Sequence, residues 1–513
     1  MNLSPVDLLA FVVFIVVVIG VSLYASRREV GTTGYFLAGR GLSWWLIGFS
    51  LIASNISTEQ FVGMSGSAFG QLGLAVASYE WFAAVTLVVV ALFLLPRWLR
   101  LGIFTMPEFL EYRYGAAPRV LMAVYLLIMY ICVALASILY SGGLVLQILF
   151  GFDLIQGIWL IGLLAGAYTI YGGLKAVVWS DLLQGGALLL GGLVVMVLGF
   201  EATGGVGDFF AANEDKLHLV MPADNPDIPW TALLFGAWIP HFFYWGFNQF
   251  ITQRTLAARS VRDGQNGVLL AAGLKLVLPF IVVLPGIMAF QLAAAGELDI
   301  GQADSAYPAL IQHVLPAGFR GFLLAALFGA VMSSLDSMLN SASSIFTLDL
   351  FKRHFRPSAD SRQLVRVGRM VTGLVVVAGC LVAPNLANPE FKGVFNYIQM
   401  FQGFISPGIV TVFGFGLIFR RAPASAALAA MLCNIPVYGL LLWWLPEVAF
   451  LNHMGITFAI LVTIMAIITW RLPLARPVRF QTRSELDLTP SPLAKLAGLE
   501  ICLVVAGLYI VFW

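Results

Sequence analysis

The sequence predicts an all-α polytopic membrane protein, and three observations carry that prediction. Hydrophobic residues make up 60% of the 513 positions and charged residues only 11%. The apolar residues fall into successive runs long enough to cross a hydrocarbon layer as helices. Lys and Arg collect in alternate loops between those runs. The spans lie at about 5–26, 43–69, 72–96, 119–149, 153–171, 176–200, 229–250, 264–294, 319–348, 367–386, 392–418, 423–445, 450–470 and 494–513, about fourteen transmembrane helices in all. The loops after the odd-numbered spans hold nearly all of the 28 Lys and Arg. Only Lys216, Arg320 and Lys392 fall on the other side, and Lys275 lies inside a span. Basic loops face the cytoplasm, so both termini are expected outside, in a plasma membrane and, for a bacterial chain, the inner membrane.

The first span is too long for a cleavable signal peptide, and no basic residue precedes it. The second carries a polar centre, Ser50–Gly66, with Ser54, Asn55, Ser57, Thr58, Glu59 and Gln60 in quick succession. An unbroken helix would leave these groups in hydrocarbon at a cost of several kcal/mol. A helix opened at mid-membrane lets carbonyls and side chains line a cavity for a cation and a polar solute. The third span carries Glu80, the sixth Asp181, the eighth Lys275 and the ninth Asp336. Ionisable groups at such depth mark solute or ion paths, and a buried Lys275 calls for an acidic or solute partner, with Glu80 a candidate. The outer loop at about 201–228 is acidic and reads as a solvated face. The seventh span holds Pro240, Gly246 and Asn248 among aromatics, which permits a second broken helix. His241, Phe243, Tyr244 and Trp245 there could stack on a sugar. Tyr307–His313 reads as a short surface helix. In the ninth span, Ser333, Asp336, Ser337, Asn340 and Ser344 share one face, an oxygen-rich stripe suited to a hard cation such as sodium. Lys352–Arg369 reads as a topology determinant, and Arg471–Ser491, with four prolines, as a linker. The 4 cysteines sit in apolar runs, and the 5 histidines show no metal-ligand spacing.

Several long motifs occur in order: ASNISTEQFVGMSG, ASYEW, TMPEFLEYRYG, YTIYGGLKAVVWSDLLQ, YWGFNQFITQRTLAARS, SSLDSMLNSASSIFTLDL and FNYIQMFQGFISPG. On these the chain resembles the sodium/solute symporters, and within them the sodium–glucose cotransporter group. The resemblance covers nearly the whole chain. It implies the LeuT-type fold, with two inverted five-helix repeats at about 43–200 and 229–418. An extra helix at 5–26 precedes them and extra helices at about 423–513 follow, all in one transporter domain over 1–513. It implies a sodium site from the carbonyls of Ala53, Ile56 and Ala330 and the hydroxyls of Ser333 and Ser334. It places Asp181 on an inner sodium path, with Asp336 and Ser337 where relatives hold a second cation, so that a second sodium or a proton is possible there. Solute contacts map to Asn55, Gln60, Glu80, Lys275 and Gln399, with Tyr244 an inner aromatic gate. His241 stands where a galactose-transporting relative has a sugar-binding asparagine, and Ala83 where it has a serine.

The expected function is sodium-coupled import of a neutral sugar or polyol, hexose or inositol class, by alternating access. Sodium is the coupling ion, and the lipid bilayer, the solute and sodium are the partners; no nucleic acid or obligatory protein partner is expected. The alternatives are a sodium-coupled symporter of a monocarboxylate, sialic acid or proline, and a sensor that binds without transporting. Sensors of this kind usually carry an appended cytoplasmic signalling domain, which is not evident here. No nucleophile–base pair or metal cluster points to an enzyme.

Overall fold

The computed structural model describes residues 4–27, 31–387, 394–483 and 485–513, with backbone alone at 59, 148–150, 387 and 394–396. Arg28 and Lys392, used in the charge count, lie outside the described residues, as does the Glu59 side chain. The described chain is helical throughout, and ten of its helices are long and apolar enough to cross a membrane.

Helix α1 (Pro5–Ser26) starts at a reciprocal cap between Ser4 and Asp7. The same Asp7 carboxylate accepts the Gly318 and Gly321 N–H groups at 2.7 and 2.9 Å. The second span divides into α2 (Trp44–Asn55), a wide π-type turn over Glu59–Met64, and α3 (Ser65–Phe69). Next come α4 (Gly73–Leu101), the short amphipathic α5 (Met106–Tyr114) and α6 (Ala116–Gln147). Helix α7 (Leu154–Ala202) has 49 residues, about 73 Å if straight, far more than the roughly 30 Å hydrocarbon layer. It bends at Gly173, whose φ of 58° and ψ of −157° leave helical space. A Cβ there would lie 2.5 Å from the Tyr35 carbonyl oxygen, so the bend needs glycine. The bend falls between the two spans read at 153–171 and 176–200.

The seventh span is also broken, into α8 (Trp238–Phe242), a wide turn over Phe243–Phe247, and α9 (Gln249–Leu256). Helix α10 (Val261–Ala294) packs along α2, α3 and α4. The outer segment forms α11 (Ala306–Val314). This is not merely a surface helix: Tyr307 is fully buried, edge-on to Phe61 at 5.1 Å. An apolar flank bearing Tyr307, Leu310 and Ile311 drives the burial. Helix α12 (Phe319–Phe355) is the most enclosed span and packs on α7 and α1. Then follow α13 (Ser361–Leu386), α14 (Val394–Gln402), α15 (Ser406–Ile418), α16 (Ala424–Trp444), α17 (Phe450–Arg471) and α18 (Ala494–Val511). The segment between α17 and α18 is tied down by backbone bonds, Arg483 to Arg100 at 2.9 Å and Val261 to Asp487 at 2.9 Å. The four cysteines are unpaired.

Candidate functional site

The first break is held open by its own side chains. At Ile56 the backbone turns extended, with φ −77° and ψ 113°. The Ser57 N–H, which would bond Ala53 in a continuous helix, turns instead to Gln60 Oε1 at 2.9 Å. The Gln60 N–H bonds the Ser57 carbonyl at 3.1 Å rather than that of Ile56. The Ala53 and Ile56 carbonyls therefore lose the donors a helix would give them. Helix α12 faces them with hydroxyls: Ser334 donates to the Ser54 carbonyl at 3.2 Å, and Ser333 donates to Asp181 at 2.5 Å. Carbonyls without their helical donors, opposite buried hydroxyls, form a set of oxygens that fits a hard, partly dehydrated cation.

The second break depends on a neighbour. Asn248 is extended, with φ −83° and ψ 126°. The Tyr130 hydroxyl donates to Asn248 Oδ1 and accepts the Phe250 N–H at 3.1 Å, standing in for the missing helical turn. Between the two breaks lies a cavity lined by Asn55, Gln60, Glu80, His241, Tyr244, Lys275 and Gln399. The structure thus brings these seven residues, named from the sequence, to one cavity. Trp245 lines the same cavity, whereas Phe243 is fully buried and is not among its lining residues. Ala83 lines it too, an apolar patch where a serine would offer a hydroxyl. His241 is buried beside Tyr79, and its ring stacks on Phe82 with centroids 6.3 Å apart.

One chain of polar contacts crosses this cavity. The Lys275 ammonium donates to Glu80 Oε2 and to Asn55 Oδ1 and lies 5.0 Å from the centre of the Trp245 ring. The Asn55 amide then donates to the Tyr244 hydroxyl at 3.1 Å. Lys275 is 1% exposed and Glu80 7%, so the pair is buried and neutral as a unit. A second cavity, toward α6, shares Asn55, Tyr244, Ile398 and Gln402 with the first. The Asn55–Tyr244 bond is thus part of the partition between them.

The group Asp181, Asp336 and Ser337 does not form one site. Asp181 and Ser337 converge on Arg254, whose Nη2 donates to Asp181 at 3.2 Å and also to Ser337, while its Nε donates to Ser50 at 2.6 Å. Asp336 instead accepts from Tyr168 and, at 2.7 Å, from Thr169, both on the first segment of α7. Neighbouring residues on a helix point about 100° apart, which separates Asp336 from Ser337. Arg254 is a second correction. Counted with the basic loop residues, it is fully buried in α9. Its pairing with Asp181 offsets the cost of that burial. The sequence reading missed Arg254, Tyr168 and Thr169, although Arg254 stands among polar residues that continue the seventh span's apolar run. It also missed Gln402, which follows Gln399 by one helical turn.

The profile of the sodium:solute symporter family matches residues 35–434. A sodium/glucose cotransporter of Vibrio parahaemolyticus is 39% identical over 543 aligned positions, covering 100% of this chain and 99% of that protein. A sodium/myo-inositol cotransporter 2 of Sus scrofa is 35% identical over 472 positions, covering 85% and 69%. The solved structure of a Na+-coupled sialic acid symporter superposes with a TM-score of 0.82 at 23% identity, covering 93% of this chain and 99% of that one. That similarity establishes a common fold.

Proposed function

Since the chain belongs to the sodium:solute symporter family, and so is a sodium-coupled transporter and not an enzyme, we propose that its solute is a neutral sugar or polyol of the hexose or inositol class. The observation that carries this reading is the Glu80–Lys275–Asn55 chain. Lys275 spends its charge on Glu80, so an anionic solute would have to break a buried pair to gain a cation. A hydroxylated solute can instead exchange hydrogen bonds with Glu80, Asn55, Gln60 and Gln399 while its apolar face rests on Tyr244 and Trp245. The named relatives that carry glucose or myo-inositol support the same class.

In this reading sodium is held by the carbonyls of Ala53, Ile56 and Ala330 and the hydroxyls of Ser333 and Ser334. It joins the broken second span to α12, and the coupling is the free energy by which that link favours solute binding. Release proceeds past Tyr244, which turns away when its bond to Asn55 opens. Repeats at about 43–200 and 229–418 rock around the site, flanked by 5–26 and 423–513. The bend in α7 and the interrupted spans at 43–69, 229–250 and 392–418 support fourteen crossings, and basic loops on the cytoplasmic side would put both termini outside. The test is uptake by proteoliposomes of labelled hexoses, inositols, sialic acid, lactate and proline, with a sodium gradient and with potassium in its place. Sodium-driven uptake of a hexose or inositol alone is expected. Uptake of an acid or proline would overturn the solute class and leave the sodium site standing.

A further inference from the structure

Gln184 stands one turn beyond Asp181 on α7 and is fully buried. Neither its amide oxygen nor its amide nitrogen has a hydrogen-bond partner among the described residues. A buried amide left without partners carries the full cost of its lost hydration, and this one leaves both its groups unmet. A leucine would fill the same space without that cost. The position of the side chain gives the reason for an amide. It lies against Gly329 on α12: a Cβ on that glycine would come within 2.8 Å of Gln184 Cγ and 3.4 Å of its Nε2. The next residue on α12 is Ala330. The next residue on α7 is Gly185, where a Cβ would come within 2.7 Å of the Ala53 Cβ. Gln184 thus faces α12 one residue from Ala330, while the residue after it faces Ala53 on α2, so α7 at this level touches both segments whose carbonyls belong to the proposed sodium site.

We propose that Gln184 is a further sodium-site residue, offering its neutral amide oxygen to the ion as it binds. The inference rests on the sodium site described under the proposed function. A carboxamide suits such a place because rotation about its last bond serves two states. Its oxygen turns toward a cation when one is bound and away from it once the ion has left. A carboxylate would hold sodium more tightly and release it less readily; a hydrocarbon would offer nothing. Gly329 belongs to the device, since only a residue without a side chain leaves room for that rotation.

The experiment uses the full chain purified in detergent. Sodium replaces potassium at constant ionic strength, and binding is read from tryptophan fluorescence and thermal unfolding, with no solute present. In Gln184→Leu the half-saturating sodium concentration rises about tenfold, while stability in potassium alone stays equal to wild type or increases, because an orphaned amide has been removed. Gln184→Glu shifts half-saturation the other way, to lower sodium, and it keeps the side-chain volume if the leucine variant fails to fold. Ser334→Ala is the control for the site itself. If Ser334→Ala weakens sodium binding and both Gln184 variants leave it unchanged, the inference falls and the sodium site stands. If Ser334→Ala also has no effect, the sodium site falls with it. Loss of stability in potassium for Gln184→Leu, with sodium binding unaltered, assigns Gln184 a packing role and refutes the proposal.

Discussion

Removing the Lys275 ammonium while leaving Glu80 in place tests the proposed solute cavity most directly. Lys275 has three protons and three neighbours to receive them: Glu80, Asn55 and the Trp245 ring. Lys275→Met keeps the length of the side chain and deletes the charge. Glu80 then becomes a lone carboxylate at 7% exposure, which costs about 3–5 kcal/mol. Asn55 Oδ1 loses a donor for about 1 kcal/mol more. Glu80→Gln alone strands the ammonium at a similar cost. The double variant strands neither charge, so its loss should be about 1–2 kcal/mol, chiefly at Asn55. A double-mutant cycle should therefore return a coupling of about 5 kcal/mol or more. The assay is unfolding in detergent followed by tryptophan fluorescence, with retained binding of labelled glucose and myo-inositol as a second readout. Single losses that add to the double within about 0.5 kcal/mol would refute the buried pair as the organising contact of the cavity.

Ser334→Ala should raise the half-saturating sodium concentration about tenfold while leaving solute binding at saturating sodium near wild type; an unchanged sodium titration would remove Ser334 from the site. Gly286→Ala places a Cβ about 2.2 Å from the Ser65 carbonyl oxygen, so the contact between α10 and α3 must give. A loss of about 1–3 kcal/mol is expected, and stability equal to wild type would show that α3 moves freely. On α5, burial opposes ionisation of Glu111, but hydrogen bonds and charge from Arg119 and Arg353 outweigh it and hold the carboxyl below its ordinary range. A lowered folded value means the contribution is complete above the unfolded value of about 4.3 and is lost as pH falls through the lower folded one. Glu111→Gln should thus cost about 1 kcal/mol at neutral pH and flatten the stability profile at acid pH; an unaltered acid limb would exclude Glu111 from it. Arg254→Gln leaves Asp181 without its cation, for about 3–5 kcal/mol, whereas Arg254→Gln with Asp181→Asn should recover most of the loss; no recovery would mean the two residues act separately.

Much of this was legible in the sequence because hydrocarbon is an intolerant solvent. Six polar residues near Asn55 could not be hidden in an intact helix, so the first break was visible from composition alone. Lys275 asked for a partner, and Glu80 answers it. The direction of side chains was less accessible. Asp336 and Ser337 are neighbours in sequence, yet they face different helices, because rotation along α12 depends on packing with α7 and α9. Arg254 was hidden for a related reason. An arginine beyond an apolar span looks like a topology signal until the fold brings Asp181 to it. Tyr130 as a surrogate for the missing turn at Asn248 lies more than a hundred positions away and left no local trace.

The Gln60 contact to Ser57 has a kinetic consequence. A helix that unwound only when an ion arrived would make each binding event a small refolding step, with a barrier of its own. Here the chain has met that cost during folding, by giving the displaced N–H an acceptor three residues away. At the proposed sodium site, an ion reaching Ala53 and Ile56 need not first unwind the helix. Its arrival should run near the rate of dehydration and diffusion, and in the proposed cycle the slow part falls to the rocking of the helices.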